Sequence, residues 1–189
     1  MNESINSRAL ALAIRAAWGA ASKDATRPHL QSLQIQASEG VVAVNATDGH
    51  RLHRVTFTGG GNFSRLFYVS KKVSKNALAE VSDDGGVLTL TDGASVTTIA
   101  AYDSAMQFPK VTQVIPRPRA VACAGPVGVN SQYIASACES AALVASPKTG
   151  GVRLLIGADV LDPVQIDADS VEFAPLNLAF KAIVMPMRM

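Results

Sequence analysis

The sequence predicts an α+β protein built from about three helix-plus-antiparallel-sheet units. Three observations predict it. A segment of helical period near the N-terminus gives way to hairpins of period two. The same order of helix then strands returns at intervals of roughly 60 residues. And 189 residues, 48% hydrophobic and 17% charged, can bury a sizeable core and are too apolar for disorder.

The first helix spans Ile5 to Trp18, with Leu10, Ile14, Ala17 and Trp18 recurring at helical spacing and Arg8 and Arg15 on another stripe. Ser4, Asn6 or Ser7 serves as its cap. Leu33, Ile35 and Ala37 then alternate with Gln34 and Gln36, and Glu39-Gly40 turns the chain into Val41 to Ala46. Strands follow at Arg54 to Thr58 and Leu66 to Val69, around the Gly59-Gly60-Gly61-Asn62 turn. Behind Ser70, a second helix is predicted over Lys71 to Val81, with Val73, Ala77 and Val81 as its apolar stripe. Val87 to Thr91 and Ser95 to Tyr102 form a hairpin about Asp92-Gly93. The third cycle has Val127 to Val129, a helix from Ser131 to about Ser140 behind Asn130, and strands at Val152 to Ile156, Val164 to Asp167 and Ala179 to Met187. Pro116-Arg117-Pro118-Arg119 interrupts the pattern, so the predicted domains are 1–119 and 120–189.

Composition narrows the function. No apolar run is long enough for a membrane helix, and Met1 to Ser4 lacks the basic start of a signal peptide, so the expected compartment is the cytoplasm. Cys123 and Cys138 are expected to be reduced. Asp48, His50 and His53 form a weak D-x-H-x-x-H string with no fourth ligand nearby, so no metal is assigned. No nucleophile elbow or phosphate loop is present; the expectation is a protein without cofactor and without catalysis. A net charge of +2 makes the placement of cations more informative than their number. Arg8 and Arg15, Lys23 and Arg27, and Lys71, Lys72 and Lys75 read either as solvated helix faces or, together, as stripes that track phosphates without reading bases.

Three strings carry a family resemblance. They are Ser22-Lys23-Asp24-Ala25-Thr26-Arg27-Pro28 with the later Ala46-Thr47-Asp48-Gly49-His50-Arg51-Leu52, then Phe108-Pro109 with Val114-Ile115-Pro116, then Val184-Met185-Pro186-Met187-Arg188. In this order they resemble the bacterial DNA polymerase III beta sliding clamp. Residues 1–119 look like its central domain, and 120–189 like the second half of its third; the first domain and half of the third have no counterpart. The resemblance implies the DNA-clamp fold, with helices lining a ring and sheets outside.

It also implies a pocket for partner peptides of the type Gln-Leu-x-Leu-Phe, as a DNA polymerase or repair protein would carry. Its wall here would be Leu30, Thr47, Gly49, His50, Arg51, Leu52 and Pro116, with Ile183, Val184, Met185, Pro186 and Met187. Methionines suit such a surface, being polarizable and adaptable. The implied function is a processivity factor on duplex DNA, held by Arg8, Arg15, Lys23, Arg27, Lys71, Lys72 and Lys75. The alternative is a clamp-like adaptor or decoy that binds such peptides without encircling DNA. A chain without the first domain cannot close a ring in the family's way; three units per chain and about twelve per ring would need a head-to-tail homotetramer. Positions where some clamps place DNA-contacting tyrosine and glutamine hold Asp24, Pro28 and His29. Phe63 to Phe67 looks superficially like a clamp-binding peptide but falls where a strand is expected.

Overall fold

The computed structural model describes residues 4–102, 106–116, 126–145, 151–157, 159, 161–169 and 177–187. The first helix, α1, runs Ser7–Ala17. Asn6 caps it, its side-chain oxygen accepting from the amides of Arg8 and Ala9 at 3.1 and 3.0 Å. Alanines let α1 be enclosed on nearly every side: Ala9, Leu10, Ala11, Ala13, Ile14, Ala16 and Ala17 are all buried. Arg8, Leu12 and Arg15 remain as a stripe outside that core.

The strands follow as β1 (Leu33–Ser38), β2 (Val41–Thr47), β3 (Arg51–Thr58) and β4 (Phe63–Phe67), after a short helix α2 (Pro28–Gln31). Glu39 and Gly40, with φ of 52° and 78°, make the tight turn between β1 and β2. Then come β5 (Leu78–Val81), β6 (Val87–Asp92) and β7 (Ser95–Ala100), which form a separate three-stranded sheet. The chain closes with α3 (Ser131–Val144), β8 (Arg153–Leu155), β9 (Val164–Asp169) and β10 (Ala179–Val184).

Strand β10 decides the architecture. It pairs antiparallel with β3 on one side and β9 on the other, giving one seven-stranded sheet ordered β4-β1-β2-β3-β10-β9-β8. Early and late segments thus share a core. Alternation then sorts the side chains: Leu33, Ile35, Val44, Val55, Phe57, Ile166, Phe180 and Ala182 face α1 and α3 and join the main cluster. The other face carries a register row, Leu66–Gln34–Asn45–Arg54–Lys181–Asp167–Arg153, that is polar over six of its strands.

The two long helices meet where side chains are small. Ser136 Oγ donates to the carbonyl of Gly19 at 3.3 Å, and a Cβ on Gly19 would stand 3.0 Å from Ser140 Oγ. His53 sits in the same junction, fully buried on the helix-facing side of β3. Its Nδ1 lies 3.3 Å from the Ala16 carbonyl, its Nε2 has no partner, and its ring meets Phe180 edge-on. Burial lowers its pKa to about 4.

The predicted fold class holds, with corrections inside it. The helix expected over Lys71 to Val81 is absent: 71–77 is irregular and Leu78–Val81 pairs with β6. Ser74 and Asn76 are weak helix formers, and two turns barely repay nucleation, so the strand register captures the end of the segment. Val73 and Ala77 are nonetheless buried in the main cluster, so the apolar anchors are correct although the backbone is not helical. The middle unit therefore keeps its sheet and loses its helix. Of the strand expected over Val127 to Val129, only a bridge from Val129 to Pro186 forms. The last strand ends at Val184, just ahead of Pro186, while α3 runs four residues past Ser140 to Val144. Phe63 to Phe67 is strand β4. Cys138 is a free thiol; Cys123 and Arg117 to Arg119 lie outside the described residues.

Candidate partner-binding site

The turn between β2 and β3 is locked by its own side chains. Thr47 Oγ1 donates to the Arg51 carbonyl at 2.6 Å and accepts from the Gly49 amide at 3.1 Å. Asp48 Oδ1 accepts from the amides of His50 and Arg51, and its Oδ2 from Arg51 Nε at 3.0 Å. Gly49, with φ of 95°, supplies the left-handed residue the turn needs. Such a turn presents Gly49 and His50 on a fixed tip.

Tyr133, in the first turn of α3, meets that tip. Its ring stacks with His50 at a centroid distance of 6.4 Å and carries the Arg51 guanidinium 4.6 Å above it. Arg51 is therefore held by Asp48 on one side and an aromatic face on the other. Asn130 fixes the start of α3 by accepting from the Gln132 amide at 2.9 Å.

The C-terminal segment is strung between these parts. Val184 registers with Arg51, the Met185 amide donates to the His50 carbonyl at 2.9 Å, and the Met187 amide donates to Gly128 at 2.8 Å. Leu52 and Ile183 are cross-strand partners on the sheet face away from the helices, where they form a second apolar cluster with Val111. Phe108 and Ile115 pack on it, so the 108–115 connector, with a 3-10 turn at Val111–Gln113, roofs the end of the sheet. Val114, Met185 and Met187 are 44%, 38% and 51% exposed, leaving an apolar rim beside a rigid turn.

Not every residue expected in the pocket reaches this rim. Gly49, His50, Arg51, Met185, Pro186 and Met187 are exposed or partly so, and Pro116 is half-buried at the end of the connector. Thr47, Leu52 and Ile183 are buried beneath, where they shape the site without offering much surface. Val184 is fully buried and alternates to the helix face, opposite Ile183. Leu30 is buried in neither cluster. Arg188 and Met189 lie outside the described residues.

The cations fall elsewhere. Segment 69–80 runs beside α1 in the opposite direction: Trp18 Nε1 donates to the Val69 carbonyl at 2.9 Å, and Ser7 Oγ donates to Glu80 Oε1 at 3.3 Å. Lys71, Lys72 and Lys75 are exposed on this strap. Arg8 is exposed; Arg15 is half-buried, and its Nε has no partner. Lys23 is exposed, whereas Arg27 is engaged by Asp24 at 2.8 Å. The exposed stripe of α3 holds Gln132 and Glu139 and no cation. Among the described residues no group of three metal-ligating side chains forms; His50 stacks on Tyr133, whereas His53 is buried against the Ala16 carbonyl.

The fold has counterparts among solved structures. The whole chain superposes on the Caulobacter crescentus beta sliding clamp with a TM-score of 0.72 and 18% identity. The fold is that of the bacterial DNA polymerase III beta sliding clamp. The Helicobacter pylori beta clamp matches with a TM-score of 0.70 at 10% identity, and the Thermotoga maritima beta subunit with 0.58 at 13%. The chain spans 65% of the length of the Caulobacter clamp and 66% of the Helicobacter one. No known family's sequence pattern matches it, and no curated protein does. Among the described residues no helix is long and apolar enough to cross a membrane.

Phe108 and Ile115 belong to strings that carried the resemblance, yet nothing in their spacing places them over Leu52. Tyr133 stands one turn ahead of Ala137, at the head of the buried α3 stripe of Ala137, Ser140, Ala141 and Val144. A large aromatic heading a stripe of small residues was the available signal.

Proposed function

We propose that this chain is a DNA sliding clamp that tethers polymerase or repair proteins through the rim formed by Gly49, His50, Arg51, Tyr133, Met185 and Met187. The observation that carries the reading is that the rigid turn and the terminal methionines, tied by the Met185 amide to the His50 carbonyl, meet at the sheet end where the connector covers Leu52 and Ile183. A hydrophobic peptide of the Gln-Leu-x-Leu-Phe type suits an apolar rim with adaptable methionines and a held cation. Residues 1–119 act as a central clamp domain and 120–189 as half of a third, joined through β3 and β10.

Duplex DNA is held without base reading by Arg8, Arg15, Lys71, Lys72 and Lys75, with Lys23 and Arg27 at the periphery. Encirclement requires several chains, and four joined head to tail supply enough units. The outer edge of β8, where Leu154 and Leu155 are 59% and 47% exposed, supports such a contact. The second reading, an adaptor that binds clamp-directed peptides without encircling DNA, is favoured by the missing helix of the middle unit.

One experiment separates them. Retention on nicked circular DNA that is lost when the circle is linearised supports the ring. Peptide binding without such retention, together with a monomer by light scattering, supports the adaptor. Absence of both peptide binding and retention refutes the two readings together.

A further inference from the structure

Beside the apolar rim lies a second cleft, of about 280 Å³ in open volume, lined among others by Gln34, Arg65, Gln107, Phe108 and Lys110. Phe108 belongs to both: it lines this cleft and packs on the Leu52–Val111–Ile183 cluster. Among the described residues the lining has two cations and no carboxylate. Its floor is also oriented. Arg54 Nη1 donates to Asn45 Oδ1 at 3.0 Å, and Asn45 Nδ2 donates to Gln34 Oε1 at 3.1 Å. A cation at one end thus fixes both amides, so Gln34 turns its Nε2 donor toward the cleft, where among the described residues it meets only Ser64 Oγ at 3.3 Å. Arg65 makes one weak hydrogen bond, 3.3 Å to the Ser64 carbonyl, and its charge joins the Ser82 and Gly86 hydrogen bonds in lowering the pKa of Asp84; neither Arg65 nor the exposed Lys110 has an acid within salt-bridge reach among the described residues.

From this geometry we infer that the cleft receives acidic side chains flanking the hydrophobic anchor of a partner peptide, with Arg65, Lys110 and Gln34 as donors to the carboxylates. The inference rests on the rim being the partner site. Carboxylate and phosphate share the required chemistry. A peptide flank is favoured because the cleft adjoins, through Phe108, the cluster beneath the rim, and its Gln34 floor lies on the sheet face away from α1 with Arg65 on the edge strand β4, whereas the Arg8–Arg15 stripe lies with the helices.

The test uses fluorescence polarisation with the full chain and three peptides: a Gln-Leu-x-Leu-Phe core, the core with a run of Asp and Glu at either end, and the same extensions as Asn and Gln. The acidic extension on one end is expected to tighten binding about three- to tenfold over the amide extension, as exposed charge pairs do. In the Arg65→Gln/Lys110→Gln variant that gain should vanish while the core peptide binds as before. It should also fade at high salt. Equal affinity for acidic and amide extensions, or a gain that survives the double substitution, overturns the inference and leaves the rim intact. Failure of the core peptide to bind overturns the rim reading and this one with it. Displacement of the acidic peptide by a short DNA duplex, with the same dependence on Arg65 and Lys110, would make the occupant a phosphate and refute the peptide assignment.

Discussion

Lowering the pH from 7 to 5 should cost this protein about 2 kcal/mol of folding stability through His53 alone. The ring is fully buried at the junction of α1, β3 and α3, its Nε2 has no partner, and burial lowers its pKa from 6.5 to about 4. The neutral form is therefore the folded form. Above 6.5 neither state takes up a proton and His53 makes no pH-dependent contribution. Between 6.5 and about 4 the unfolded chain binds a proton that the folded chain refuses, so stability falls with pH. Below about 4 the loss is complete. At pH 5 the binding factors are about 33 for the unfolded ring and about 1.1 for the folded one, and RT ln(33/1.1) is about 2 kcal/mol.

The carboxylates do not confuse this window. Hydrogen bonds from Thr26 and then Arg27 hold Asp24 near 2, and hydrogen bonds from Ser82 and the Gly86 amide lower Asp84. Each depressed carboxylate adds stability above its unfolded value of 3.8 and loses it only as pH falls further. Trp18, the single tryptophan, bonds to the Val69 carbonyl beside this junction and reports urea unfolding by fluorescence. Wild type at pH 7, 6 and 5 should show a falling stability, and a His53→Phe variant should show little slope over the same range. An equal slope in the variant, or a flat wild type, would refute the assignment.

Two other perturbations address function. Replacing Met185 and Met187 together by Ala should weaken a Gln-Leu-x-Leu-Phe peptide by about tenfold or more, because each loses a partly exposed apolar contact. Urea stability should change by less than about 1 kcal/mol, since the Met185 and Met187 amides still bond; unchanged peptide affinity would remove them from the site. Replacing Lys71, Lys72 and Lys75 by Gln should lower the slope of log affinity for duplex DNA against log salt by up to about 3, at roughly 0.9 per phosphate contact. A slope equal to wild type would show that the strap does not face DNA.

Legibility in the sequence followed locality. Strand alternation, the Glu39-Gly40 and Gly93 turns, and the Asn6 and Asn130 caps depend on near neighbours, and each appears in the structure. The 71–81 segment failed because Val73, Ala77 and Val81 satisfy a helical stripe, while the competing partner, β6, lies several residues downstream. Spacing cannot weigh a helix of two turns against a strand that completes a sheet. In the candidate site, the Thr47 to Leu52 turn was readable because its bonds are internal. Tyr133 was not, because its value depends on α3 docking its first turn against a tip 80 residues earlier, a contact set by β10.

That dependence bears on how the site is built. The residues proposed to meet a partner come from a turn after β2, a connector across the sheet, the head of α3 and the segment after β10, and no two of these adjoin in sequence. What unites them is the register of β10, in which Ile183 opposes Leu52 and Val184 opposes Arg51. A slip of one residue would send Ile183 to the helix face and bring Val184 out over the connector. The buried Val184 is thus not an idle member of the set: fixed in the core, it holds Ile183 under the roof and leaves Met185 and Met187 at the rim. The sheet that pairs early strands with late ones therefore also sets which hydrophobic residues stay exposed at the rim.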